Sequence, residues 1–224
     1  MLIDQIVSAC ATQFTGPTCS NCTNTCFRSC EQCLDQIHMQ NHQRRYNCPN
    51  IVFYYVCKYI YKYSSEIQLL FNASNSLKVK NDYNILSLGC GPCTDLVGII
   101  NFCTDNQLNK SICYTGIDLN DSWAPVNNLY TTILSNHNNI LYNFLTADIL
   151  SYLNSSPLNI PNILIMQYLI SDMHKNLTQQ QFQLILNQVL SIADLMPSES
   201  FIILNDINHN LQARDYFDNI TASL

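Results

Sequence analysis

A short apolar strand that runs straight into a Gly-x-Gly turn and then into a helix limits how this chain can fold more than any other feature. It is spelled Ile85-Leu86-Ser87-Leu88-Gly89-Cys90-Gly91-Pro92-Cys93-Thr94-Asp95. The chain must bend sharply at the two glycines, and its backbone must come close to another group, so Cβ atoms are excluded there. In an open α/β sheet such a turn faces the ligand crevice at the carboxyl ends of the strands. Many nucleotide-binding folds share it. Two of them are disfavoured on residue grounds. No Gly-Lys-Ser/Thr follows, so the turn is not a phosphate-binding P-loop. Thr94 stands where a dinucleotide fingerprint has its third glycine, and Pro92 removes a backbone donor that a pyrophosphate would need.

Downstream the pattern alternates. Apolar runs at Tyr83 to Leu88, Ile112 to Leu119, Ile140 to Ala147, Asn162 to Leu169 and Phe201 to Asn205 predict five strands. Helical periodicity predicts helices over Thr94 to Leu108 and Thr178 to Met196, the second opened by a capping box at Thr178-Gln179-Gln180-Gln181. Alternating strands and helices predict a Rossmann-like, mostly parallel sheet flanked by helices, an α/β fold. Asp118 ends the second strand, where a carboxylate can accept both hydroxyls of a ribose. Asp148 ends the third, where a polar side chain can meet an adenine amino group.

With these residues in place, the chain resembles the class I S-adenosylmethionine-dependent methyltransferases over about residues 82 to 224. LSLGCGP is similar to their glycine-rich first motif, GIDLN to their second and TADIL to their third. The resemblance implies that Gly89 and Gly91 approach the amino-acid part of the cofactor, that Asp118 holds the ribose and that Asp148 meets the adenine. It implies a cofactor site made of Gly89, Cys90, Gly91, Asp118, Leu119, Asp148, Ile149 and Gln167. Two residues depart from the family pattern: Cys93 replaces the usual third glycine, and Ser87 stands where an acid is common. The family sheet has seven strands and five are read here. The domain is expected to be either shortened or incomplete at its C-terminal end, leaving an edge that needs cover.

The family presents substrate-side groups after the fourth strand. Here that stretch offers Tyr168, Asp172 and His174. Nothing in it matches the Asn/Asp-Pro-Pro-Tyr signature of amino-group methylation on bases. Methyl transfer needs positioning more than acid or base help, so no catalytic residue is assigned.

Residues 1 to 80 read differently. Six of the twelve cysteines, Cys19, Cys22, Cys26, Cys30, Cys33 and Cys48, fall within thirty residues. Cys19-x2-Cys22 and Cys30-x2-Cys33 have the spacing of zinc hooks, in which two thiolates reach one tetrahedral ion. His38 and His42 are weaker candidates, and an iron–sulfur cluster is chemically allowed. A small helical metal-binding module is therefore expected over 1–80, and a cofactor-binding domain over 81–224. Within the first region Ile51 to Phe71 predicts one long helix preceded by Pro49. Its stripe of Val52, Tyr55, Val56, Tyr59, Ile60 and Tyr63 reads as a packing face.

The net charge of −6 argues against a wholly basic nucleic-acid binder, but it is uneven: +3 over residues 1–80 and −9 over 81–224. Any attraction to phosphates belongs to the first region, near Arg28, Arg44 and Arg45. The opening MLIDQIVSAC carries Asp4 and no basic residue, so it predicts a short helix rather than a secretory signal, and a cytoplasmic protein. No apolar run is long enough to span a bilayer. The expected function is methyl transfer from S-adenosylmethionine to a nucleic-acid or protein acceptor. The alternative is a non-catalytic, zinc-containing binding module on a methyltransferase-like scaffold.

Overall fold

A computed structural model describes residues 1–14, 30–38, 46, 48–155, 159–207 and 213–222. The chain divides into two compact units. The first comprises Met1–Val79, Gly91–Asn109 and Asn120–Asn138; the second comprises Lys80–Cys90, Lys110–Leu119 and Asn139–Leu224.

The second unit holds a five-stranded sheet: β1 (Asp82–Leu88), β2 (Ser111–Asp118), β3 (Ile140–Thr146), β4 (Ile163–Gln167) and β5 (Phe201–Asn205). Its order is β3-β2-β1-β4-β5, and all four pairings are parallel. The order reverses between β1 and β4, which makes the carboxyl ends of these two strands the topological switch point. Leu86, Leu88, Ile117, Leu164 and Met166 enter a core shared with Ile149, Leu169, Phe182, Leu186, Val189 and Ile220. These come from α7 (Ile149–Leu153), α8 (Leu169–Asn176), α9 (Gln179–Leu195) and α10 (Ala213–Ala222). The intervening residues Ile85, Ile163 and Ile165 are also buried, so β1 and β4 read as continuous apolar runs rather than alternating ones. Thr178 caps α9 through the reciprocal box its sequence predicts.

The first unit is helical: α1 (Leu2–Gln13), α2 (Cys30–His38), α3 (Pro49–Ala73), α4 (Asn75–Val79), α5 (Thr94–Asp105), a 3-10 turn (Asp121–Trp123) and α6 (Ala124–Leu134). Pro49 opens α3, where its missing N–H costs nothing. Val52, Val56, Ile60 and Ile67 are fully buried along one face of this 25-residue helix. A Cβ at Gly98 of α5 would run into the Ser64 carbonyl oxygen, so the bare Gly98 sets how closely α3 and α5 approach. Helix α5 stops at Asp105, three residues short of its apolar pattern. The Asn106 amide caps the Phe102 carbonyl at 2.8 Å, and Gln107 turns left-handed.

The tyrosine stripe of α3 does pack. Tyr55 lies edge-on to Tyr59 and Trp123, at centroid distances of 5.0 and 5.4 Å. Tyr59 stacks on Tyr63 at 5.3 Å. Burial, with Tyr46 and Tyr63 close by, holds the Tyr55 hydroxyl well above its ordinary pKa. On the same helix Lys58 pairs with Glu31 and Asp35, and Lys62 with Glu66, so these cations face carboxylates of their own unit. Among the described residues no helix is long and apolar enough to cross a membrane.

Candidate functional site

At the carboxyl edge of the second unit's sheet, β1 ends on Leu88 and the chain bends at Gly89, whose φ is +64°. A side chain there would be strained by its backbone alone. It would also collide with the core: a Cβ at Gly89 would stand 2.6 Å from Leu169 Cδ1, on the first residue of α8. The space beside this glycine is therefore filled by the protein's own leucine. Cys90 then ties the turn to the neighbouring strand. Its N–H donates to the Ile117 carbonyl at 3.1 Å. Its Sγ lies 2.8 Å from where Gly116 of β2 would carry a Cβ, so Gly116 is bare to admit it.

Asp118, half-buried, is the last residue of β2. Its partner across the ladder is Thr146, and its carbonyl accepts the Ala147 N–H at 2.9 Å. Asp148 follows at once. The parallel register thus brings both predicted acids to one end of adjacent strands. Leu119, next to Asp118, is a large apolar side chain left 66 % exposed. Asp148 is also the N-cap of α7, where one carboxylate oxygen accepts the Ser151 N–H at 2.9 Å. A carboxylate has acceptor capacity beyond one such bond. Ile149 is buried in the core, and Gln167 is the half-buried last residue of β4, in register with Asn205.

The fourth strand ends two residues earlier than its apolar run. Tyr168 adopts φ +58° and becomes the N-cap of α8, so Leu169 is helical and points into the core. Of the other substrate-side candidates, Asp172 is exposed and its carboxylate accepts from Asn176 at 3.0 Å. His174 lies in the last turn of α8, its ring 5.8 Å from Tyr216 and 6.4 Å from Phe182.

Gly91 belongs to the first unit, with φ +49°; the Trp123 indole lies 3.7 Å from its Cβ position. Cys93, at the position where the resembled family has a glycine, keeps a left-handed backbone at φ +51° and forms the N-cap of α5. Its thiol donates to Asn127 Oδ1 at 3.2 Å, and its carbonyl accepts the Tyr130 hydroxyl at 3.4 Å.

Of the six clustered cysteines, Cys19, Cys22 and Cys26 lie outside the described residues, as do His42, Arg28, Arg44 and Arg45. Cys30 and Cys33 are buried at the start of α2, and Cys48 is the half-buried N-cap of α3. Among the described residues no three His, Cys, Asp or Glu side chains converge as a metal site.

Sequence reasoning missed Gly116, Leu169 and Asp206. Asp206 follows β5 and accepts the Ser171 N–H at 2.8 Å. Its signal was present: an aspartate follows β5 much as Asp118 ends β2 and Asp148 follows β3.

No protein-family model matches the sequence, and the search of curated proteins returns no match. Among solved structures, a candidate S-adenosyl-L-methionine-dependent methyltransferase of Methanococcus maripaludis aligns with a TM-score of 0.49 and 12% identity. That alignment covers 82% of this chain and 73% of the other. The magnesium protoporphyrin IX methyltransferase of Synechocystis, with bound SAM, gives 0.45 and 13%, covering 77% and 72%. The plantazolicin methyltransferase BpumL, in complex with SAH, gives 0.38 and 21%, covering 74% and 50%.

Proposed function

We propose that this chain binds S-adenosylmethionine at the carboxyl edge of its sheet and transfers the methyl group to a macromolecular acceptor, a nucleic acid or a protein. The observation that carries this reading is the parallel register that ends β2 on Asp118 opposite Thr146, two residues before Asp148, at the carboxyl edge where β1 runs into the Gly89 turn. In this reading residues 81–224 form the cofactor-binding domain. The Asp118 carboxylate accepts the two ribose hydroxyls, and the exposed Leu119 beside it supplies apolar contact. The second oxygen of Asp148 accepts from the adenine amino group while the first keeps α7 capped. Cys90 and Gln167 complete the lining, and the sequence motif continues to Gly91. Bound S-adenosylmethionine supplies a methyl group activated by its sulfonium; the protein's task is to hold and orient it.

Titration calorimetry with S-adenosylhomocysteine tests this. Asp118→Ala should weaken binding by about 1.5 to 3 kcal/mol, the worth of hydrogen bonds to a charged group. Unchanged affinity would remove the ribose role. No binding by the unaltered protein at millimolar ligand would leave the rival reading, a non-catalytic module on the same scaffold. The five strands of the described sheet, against seven in the resembled family, are what favour that rival.

Zinc on thiolates drawn from Cys19, Cys22, Cys26, Cys30, Cys33 and Cys48 belongs to the same proposal. Its support is the hook spacing and the placement of Cys30 and Cys33 three residues apart at the start of one helix. Replacing both by serine should release the metal and unfold the residues around it. Plasma emission giving the same metal content before and after the change would rule out that hook.

A further inference from the structure

We infer that Asp206 is a positioning residue for the cofactor site proposed above. It acts through the first turn of α8 and the Leu169 side chain held against Gly89, and the inference rests on that reading of the site. Helix α8 lacks a side-chain cap from its own N-terminus. The first N–H groups of a helix have no intrahelical acceptor. The N-cap of α8 is Tyr168, whose side chain makes no capping bond. The acceptor comes instead from another strand. Asp206, just past β5, accepts the Ser171 N–H on Oδ2 at 2.8 Å and its neighbour's Ile207 N–H on Oδ1 at 2.7 Å. A carboxylate at this end of a helix is also favoured by the helix dipole. One residue earlier in β5, the Asn205 carbonyl accepts the Tyr168 N–H at 2.7 Å.

The end of β5 therefore grips the start of α8 at two points, Tyr168 and Ser171. Leu169 lies between them. Its Cδ1, Cγ and Cβ stand 2.6, 3.3 and 3.4 Å from the Cβ position of Gly89. Leu169 is thus a floor under a backbone bend that must stay left-handed, and the height of that floor is set two strands away. A bend that is held in place before the ligand arrives gives tighter binding than one that must be ordered on binding. A cap that merely stabilised α8 would give no energetic link between Asp206 and Leu169 in ligand affinity. The proposed role requires one.

The experiment is a double-mutant cycle read by calorimetric affinity for S-adenosylhomocysteine, with amide hydrogen exchange at Ser171 followed alongside. Asp206→Ala should weaken binding about tenfold, and exchange at Ser171 should speed up. Asp206→Asn keeps an acceptor oxygen and should stay within about threefold of the unaltered protein. In a Leu169→Ala background, Asp206→Ala should cost less than about twofold more, because the contact through which it acts is gone. If Asp206→Ala does not fold, the cycle is run with Asp206→Asn, whose smaller loss should vanish in the same background. Multiplicative effects, or unchanged affinity in Asp206→Ala, would overturn the positioning role while leaving cofactor binding intact. Unaltered protein that binds no S-adenosylhomocysteine removes the cofactor reading and this inference with it.

Discussion

The turns that leave β1 and β4 stand at the carboxyl ends of adjacent parallel strands, and each begins with a residue in the left-handed region: Gly89 at φ +64° and Tyr168 at φ +58°. One is a glycine and the other a tyrosine, although the backbone demand is nearly the same. The difference lies in what occupies the Cβ side. At Gly89 that space belongs to Leu169, so conformation and packing both require glycine. At Tyr168 a half-buried side chain is accommodated, and the turn is held from β5 by the Asn205 carbonyl and the Asp206 carboxylate. A left-handed residue costs about 1 to 2 kcal/mol for a non-glycine. The hydrogen bonds from Asn205 and Asp206 to the start of α8 act against that cost.

This contrast can be broken by mutation. Gly89→Ala meets both backbone strain and the Leu169 side chain, so it should lose about 3 kcal/mol in urea unfolding. A loss under about 1 kcal/mol would mean that Leu169 yields freely and does not define the turn. Leu169→Ala should cost about 2 to 3 kcal/mol through the cavity it leaves. Combined with Gly89→Ala it should cost at least about 1 kcal/mol less than the sum, since each change makes room for the other. Additive losses would show that the two residues do not share one space. Tyr168→Gly should be the mildest, within about 1 kcal/mol of the unaltered protein or slightly stabilising, because relief of φ strain offsets the lost side-chain contacts. A loss above about 2 kcal/mol would transfer the control of that turn from its backbone bonds to the tyrosine ring.

Much of the fold was legible because strand runs such as YNILSL and NILIMQYL are apolar on both faces and bounded by turn residues. The α9 capping box and the Pro49 start of α3 were legible for the same local reason. The ends of α5 and β4 were not. Asn106 reaches back four residues to the Phe102 carbonyl, a local cap masked by the apolar pattern that runs on to Leu108; Tyr168 turns left-handed under constraint from β5, which has no signature within its own segment. The candidate site was legible as residue types at strand ends, and less so as partners. That Asp148 caps α7 could be read locally. That Gly116 makes room for Cys90, and Gly89 for Leu169, could not.

The sequence alone specified the five strands and the long helices α3, α5 and α9 to within a few residues, where the glycines must relieve the backbone, and that a carboxylate ends the second strand and another follows the third. These depend on periodicity, turn chemistry and φ preference, which act over a few residues. Only the tertiary structure decided the order β3-β2-β1-β4-β5, the seating of Leu169 on Gly89 and the capping of α8 by Asp206. Those contacts join residues 35 to 80 positions apart, and no local preference encodes which distant side chain fills a given space.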